Sequence, residues 1–251
     1  MMKKRYDILD SLRGFTLISM ILYHAMWDIV YIYGVNAPWY ESQWAYIWQQ
    51  SICWTFILLS GFCWSMGRRH FKRGLVVFGL SAIISAVTIV LMPESRILFG
   101  VLSLIGTAML IMIPLDKLLK KANPYVGFVV VSILFVITRN VPSGELGFEN
   151  WHIMRLPQAW FRNLFTAYLG FPENAFFSTD YFSVIPWIFL FITGYFLYHI
   201  FRKNDWLKIF ERKGPAALSF MGKHSLIIYA LHQPIIYGAL YLWFEIIGNV
   251  L

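Results

Sequence analysis

Charge is the scarcest resource in this chain of 251 residues: only 14% are Asp, Glu, Lys or Arg, against 59% hydrophobic and 19% aromatic. A soluble domain of this length carries about a quarter charged residues, so the composition excludes one, and it excludes intrinsic disorder for the same reason. Cysteine is almost absent, with two in all, which excludes a disulfide scaffold. Cys53 and Cys63 fall on one helical stretch, about 15 Å apart along its axis, too far to bridge. The sequence also lacks a Gly-rich phosphate loop, an internal repeat and an Asn-x-Ser/Thr sequon.

What is present is a series of apolar stretches near membrane length. Windows of about 19 residues predict spans at Leu12–Val35, Trp44–Met66, Gly74–Met92, Ile97–Leu115, Pro124–Thr138, Phe182–Phe201 and Ser225–Gly248. The fold class expected is an all-α polytopic membrane helix bundle of about seven transmembrane helices, forming a single domain over residues 1–251. The basic start and apolar run at the N-terminus resemble a signal peptide. The run is too long and holds His24 and Asp28, so it reads as an uncleaved first span.

Lys and Arg alternate from one connection to the next. One set of ends holds Lys3, Lys4, Arg5 and Arg13, the Arg68–Arg73 cluster, Lys117, Lys120 and Lys121, and the Arg202–Lys213 cluster with Lys223; the other holds only Arg96, Arg139, Arg155 and Arg162. The positive-inside rule then places the N-terminus in the cytoplasm. The net charge of +8 is thereby an orientation signal with some attraction to anionic inner-leaflet lipid, not a nucleic-acid footprint. The long connection 141–181 is external and rich in aromatics, including Trp151, Trp160, Phe165 and Phe177. It reads either as an interfacial segment at headgroup depth or as a lid over an outward pocket.

Ionisable residues inside hydrocarbon cost about 2.5–3.5 kcal/mol each on insertion scales and need a partner, water or a task. On the first span Asp10, Arg13, His24 and Asp28 fall within an arc of about 60°, forming a polar stripe. His24 and Asp28 are spaced i,i+4, so the carboxylate can orient the imidazole as a catalytic base for acyl transfer; a structural His–Asp pair between helices fits the same spacing. Arg13 lies about 16.5 Å below His24, where it suits the anionic end of an elongated cofactor or simply sets topology. On the last span His232 and Gln233 reach similar depth as supporting or oxyanion groups, and Pro234 should kink the helix. At the outer mouth Asp180 either caps the sixth span or, with Trp187, meets the acceptor. Arg68 and Arg69 are further cofactor-side candidates that orientation already explains.

These residues carry a family resemblance. LDSLRGFTLISMILYHAMWD at Leu9–Asp28, FILLSGF at Phe56–Phe62, FGVLSLIG at Phe99–Gly106, DYFSVIPWIFLFITGYF at Asp180–Phe196 and GKHSLIIYALHQP at Gly222–Pro234 resemble, in order, the heparan-α-glucosaminide N-acetyltransferase catalytic-domain family, in a small, bacterial-type form. Arg13, ten residues and His24 are similar to the signature of type 3 transmembrane acyltransferases. The resemblance implies acetyl-CoA or another short acyl-CoA as cytoplasmic donor and no metal. It also implies an amine or hydroxyl acceptor on an extracytoplasmic glycan or amino sugar, and a multi-pass plasma-membrane location. It implies His24 as the essential histidine and Arg13 as the CoA-side arginine, with Asp28, Asp180 and His232 in recurring words. Whether a homo-oligomer completes the site, and whether transfer is direct or through an acyl-enzyme, stays open. The competing class is a transporter of a small solute or acyl group, for which no repeat is found.

Overall fold

The computed structural model describes residues 6–247, so Lys3, Lys4, Arg5 and Gly248 lie outside the described residues. The chain is an all-α polytopic membrane protein whose helices coincide with the predicted spans: α1 Asp7–Tyr31, α2 Gln43–Trp64, α3 His70–Leu91, α4 Val101–Leu119, α5 Pro124–Thr138, α7 Val184–Lys203 and α9 Ser225–Tyr241. α9 runs through Pro234 and continues as a π-helical turn over Leu242–Ile247. Among the described residues, six helices are long and apolar enough to cross a membrane. α2 is long enough at 22 residues, but its opening turns hold Gln43, Gln49, Gln50 and Ser51.

The chain forms two compact units. One comprises the residues up to Phe56 with those from Trp206 on, and the other Ile57–Asp205; the division therefore falls within α2. In the first unit α1 packs along α9 and along a short helix, α8 (Ala216–Lys223). Two glycines permit the α1–α8 approach: a Cβ on Gly14 would strike the Leu218 carbonyl, and one on Gly222 the Asp10 carbonyl. This is the close backbone contact that small residues allow between membrane helices. Beside it Leu17, Met20 and Ile52 form a buried cluster with Phe56, Met221 and Ile228 around it. Trp48, Ile52 and Phe56 are spaced four apart, so one stripe of α2 covers α1.

In the second unit α3 packs along α4 and α5 along α7. α5 starts with Asn123 accepting from the Tyr125 N–H and Pro124 in the first turn, a start favoured because proline removes an N–H that has no helical partner. α7 has the deepest burial, with Phe191 and Tyr195 fully enclosed. The 141–181 connection is folded: β1 (Glu145–Phe148) pairs antiparallel with β2 (Trp151–Arg155), and α6 (Leu164–Leu169) follows with an Asn163–Thr166 capping box. Trp151, Trp160, Phe165 and Phe177 remain exposed, whereas Phe171 contacts both Trp160 and Phe161.

Candidate active site

The first unit brings together the deep polar residues of α1 and α9. The rings of His24 and His232 face each other with centroids 4.9 Å apart and planes 61° apart. Tyr23 approaches His24 edge-on at 6.2 Å and is fixed by neighbours. The Tyr40 hydroxyl donates to its backbone carbonyl at 2.9 Å, and Trp48 packs against its ring. Trp48 also donates its indole N–H to Ser19 Oγ at 2.7 Å. Tyr40 and Trp48 thus hold Tyr23 beside His24, and the Tyr229 ring stands 5.3 Å from that of His232.

Asp28 is fully buried, and Gln233 Nε2 donates to its two oxygens at 2.8 and 3.0 Å. Among the described residues, no hydrogen bond joins Asp28 to His24. The i,i+4 spacing pairs them along one helix, but a partner reaching across from α9 takes the carboxylate instead. Asp28 therefore braces α1 against α9 and does not itself orient His24.

His232 Nδ1 lies 2.5 Å from the Tyr229 carbonyl. A carbonyl only accepts, so the ring proton sits on Nδ1, and in the neutral ring Nε2 keeps its lone pair. That Nε2 and Gln233 Oε1 are buried without a partner. With Nδ1 donating to the Tyr229 carbonyl and Gln233 Nε2 to Asp28, the atoms that His232 and Gln233 leave free are acceptors, suited to taking a hydrogen from an N–H or O–H.

Arg13 sits at the other end of α1, where Nη1 meets Asp10 Oδ1 at 3.2 Å and the Gly222 carbonyl at 3.4 Å; Lys223 pairs with Asp7 at 3.8 Å. The polar stripe of α1 is interrupted between this group and His24. Leu17 falls within the same arc and is fully buried in the apolar cluster. The stripe forms two polar groups separated by an apolar layer, not a continuous polar face.

The remaining candidates belong to the second unit. Arg68 and Arg69 are exposed in the turn between α2 and α3, Arg69 with left-handed backbone at φ 58°. Asp180 Oδ2 accepts from the Val101 N–H at 3.2 Å, so it caps α4 rather than the following helix α7. Burial pushes its carboxyl up to about 6, opposed by the Val101 bond. Trp187 is buried, with the Arg139 guanidinium 4.8 Å over its ring and Phe135 and Phe182 against it. Its faces are thus occupied by neighbours from the second unit.

Fold and site together define a multi-pass membrane protein with an imidazole pair, His232 buried and His24 half-buried, between two of its spanning helices. A model of the heparan-alpha-glucosaminide N-acetyltransferase catalytic domain matches residues 5–234. The chain belongs to that family, a family of membrane acetyltransferases. No curated protein and no solved structure matches it.

Proposed function

We propose that the chain is one transmembrane acyltransferase domain of the cell membrane. In this reading it moves an acetyl or other short acyl group from cytoplasmic acyl-CoA to an amine or hydroxyl of an extracytoplasmic glycan or amino sugar. The observation that carries the reading is the His24–His232 apposition beside two unpartnered buried acceptors. An unsatisfied buried acceptor costs about 1–3 kcal/mol, and a helix pair in hydrocarbon that retains two of them gains from a ligand that donates to both.

The residues divide the work as follows. Arg13 holds the phosphates of the donor through bidentate contacts. Asp10 fixes the Arg13 guanidinium. His24 and His232 supply the proton acceptor for the incoming nucleophile, His232 through Nε2. In direct transfer the acceptor N or O forms a bond to the acyl carbon as the C–S bond breaks. The imidazole takes the acceptor proton and returns it to the departing thiolate, leaving CoA and the acylated acceptor. In the two-step order a His24 ring nitrogen forms a bond to the acyl carbon as the C–S bond breaks, and the other ring N–H proton goes to the departing thiolate. The acceptor N or O then attacks the acyl carbon as the acyl–imidazole bond breaks, and His232 takes the acceptor proton and returns it to the His24 ring. Both orders balance and use the same pair.

The test is transfer from labelled acetyl-CoA to a hexosamine or its N-blocked analogue by the protein in nanodiscs. Wild type should label the sugar, and His24→Ala should lower the rate about 10²–10⁴-fold with folding preserved. Full activity in His24→Ala would sink the assignment, and uptake of unmodified solute into vesicles would favour the transporter. Label retained on protein without acceptor selects the two-step order. Mass spectrometry of envelope glycans with and without the active protein names the acceptor.

A further inference from the structure

The second unit contains a hollow of about 320 Å³ where α4 ends, α5 begins and α7 ends, lined by Leu119, Lys120, Pro124, His199, Arg202 and Lys203, among others. We propose that this hollow binds the phosphate headgroup of an anionic phospholipid from the inner leaflet. Nothing in the acyl-transfer reading uses it, and it stands whether or not that reading holds.

Charge is the first argument. Three permanent cations and one imidazole converge on the hollow, and no carboxylate lines it. Among the described residues, neither Lys120 nor Arg202 meets a carboxylate. A lysine at the end of α4 or α7 is ordinarily explained by the negative helix terminus it offsets. Here the two ends are brought to one place together with the positive N-terminus of the 15-residue helix α5, so the positive potential exceeds what either terminus requires.

The second argument is construction. Asn204 donates to the Tyr125 hydroxyl at 2.7 Å and to the Ile200 carbonyl at 2.8 Å, and Lys203 Nζ stands 5.1 Å over the Tyr125 ring. These contacts lock the end of α7 onto the start of α5, so Lys203 is positioned before any ligand arrives. The third is the mixed lining: Leu119, Ala122, Pro124 and Phe196 form an apolar half. One step outward, Leu118 and Val126 are 67% and 60% exposed, offering acyl chains a surface beside the headgroup. A soluble phosphate has no use for that surface. The hollow also lies at the helix ends that carry the excess of Lys and Arg, where basic pockets between spanning helices take phospholipid headgroups.

Native mass spectrometry of the full chain, purified and exposed to equimolar phosphatidylglycerol and phosphatidylcholine, tests this directly. Wild type should retain phosphatidylglycerol preferentially, with a loss of about fivefold per cation removed in Lys120→Gln and Arg202→Gln. Lys120→Arg with Arg202→Lys keeps the charge and should keep the lipid, as should Lys117→Gln with Lys121→Gln, which removes equal charge outside the hollow. Equal retention of both lipids by wild type, or unchanged retention in the double variant Lys120→Gln with Arg202→Gln, overturns the proposal, and the wild-type comparison decides it even if that variant fails to fold. Inorganic phosphate and acetyl-CoA should leave the adduct in place; displacement by either assigns the hollow to a soluble phosphate ligand and also overturns it.

Discussion

Gln233 Nε2 stands 2.8 and 3.0 Å from the two carboxylate oxygens of Asp28, so a neutral amide on α9 holds the buried acid of α1. The contact gives a stability prediction separable from catalysis. Gln233→Ala strands a fully buried carboxylate and should cost about 1–3 kcal/mol or more, read as a lower thermal unfolding midpoint in detergent. Asp28→Asn keeps an oxygen able to accept from Gln233 and should cost far less. Equal losses in both variants would mean that the amide–carboxylate bond is not what holds the helices together.

His232 offers a cleaner division between structure and chemistry. Its Nδ1 is spent on the Tyr229 carbonyl and its Nε2 is free. Asn places an amide N–H near the Nδ1 position but has nothing at Nε2. His232→Asn should therefore fold with near-wild-type stability and transfer acyl groups about 10²-fold more slowly or worse. Turnover at the wild-type rate would remove His232 from the chemistry.

The helices were legible because hydrocarbon imposes a single strong rule: backbone groups must be satisfied within the segment, so apolar length reads directly as a helix. Hence α5 begins and ends where its sequence pattern does, at Pro124 and Thr138. The side-chain pairs between helices were less legible than the helices themselves. Periodicity places Asp28 under His24 on one helix, but it has no information about what α9 presents opposite, and Gln233 proves the better donor. The same blindness hid α8, whose eight residues are too short for a spanning window and owe their position to Gly14 and Gly222. The hairpin at 145–155 went unread because its turn at Glu149 uses a left-handed non-glycine residue, φ 49°, in place of the usual Asn-Gly signal.

The α1–α8 contact predicts opposite outcomes for glycines of the same composition class. Gly14→Ala and Gly222→Ala place a methyl against a backbone carbonyl that cannot rotate away, so each should destabilise by about 1–3 kcal/mol through forced helix separation. Gly238 on α9 has open space around its Cβ position. Gly238→Ala should be neutral or stabilising by up to about 1 kcal/mol, from helix propensity alone. Thermal unfolding of the three variants side by side checks the contrast, and a Gly222→Ala protein as stable as wild type would contradict the close approach.

Asp180 predicts a pH dependence with a definite sign. Its carboxyl titrates near 6 in the folded chain because burial disfavours the anion, with the Val101 N–H only partly offsetting this, against about 3.9 when unfolded. Between those values the folded state binds more protons than the unfolded one, so this group's contribution to stability falls as pH rises from about 4 to about 6, then stays constant. Asp180→Asn keeps an oxygen for the Val101 bond and removes the titration. The difference in unfolding midpoint between variant and wild type should therefore be small near pH 4, grow in favour of the variant up to about pH 6, and level off above it. Parallel pH profiles for the two proteins would show that the cap at the start of α4 is not a buried, titrating acid.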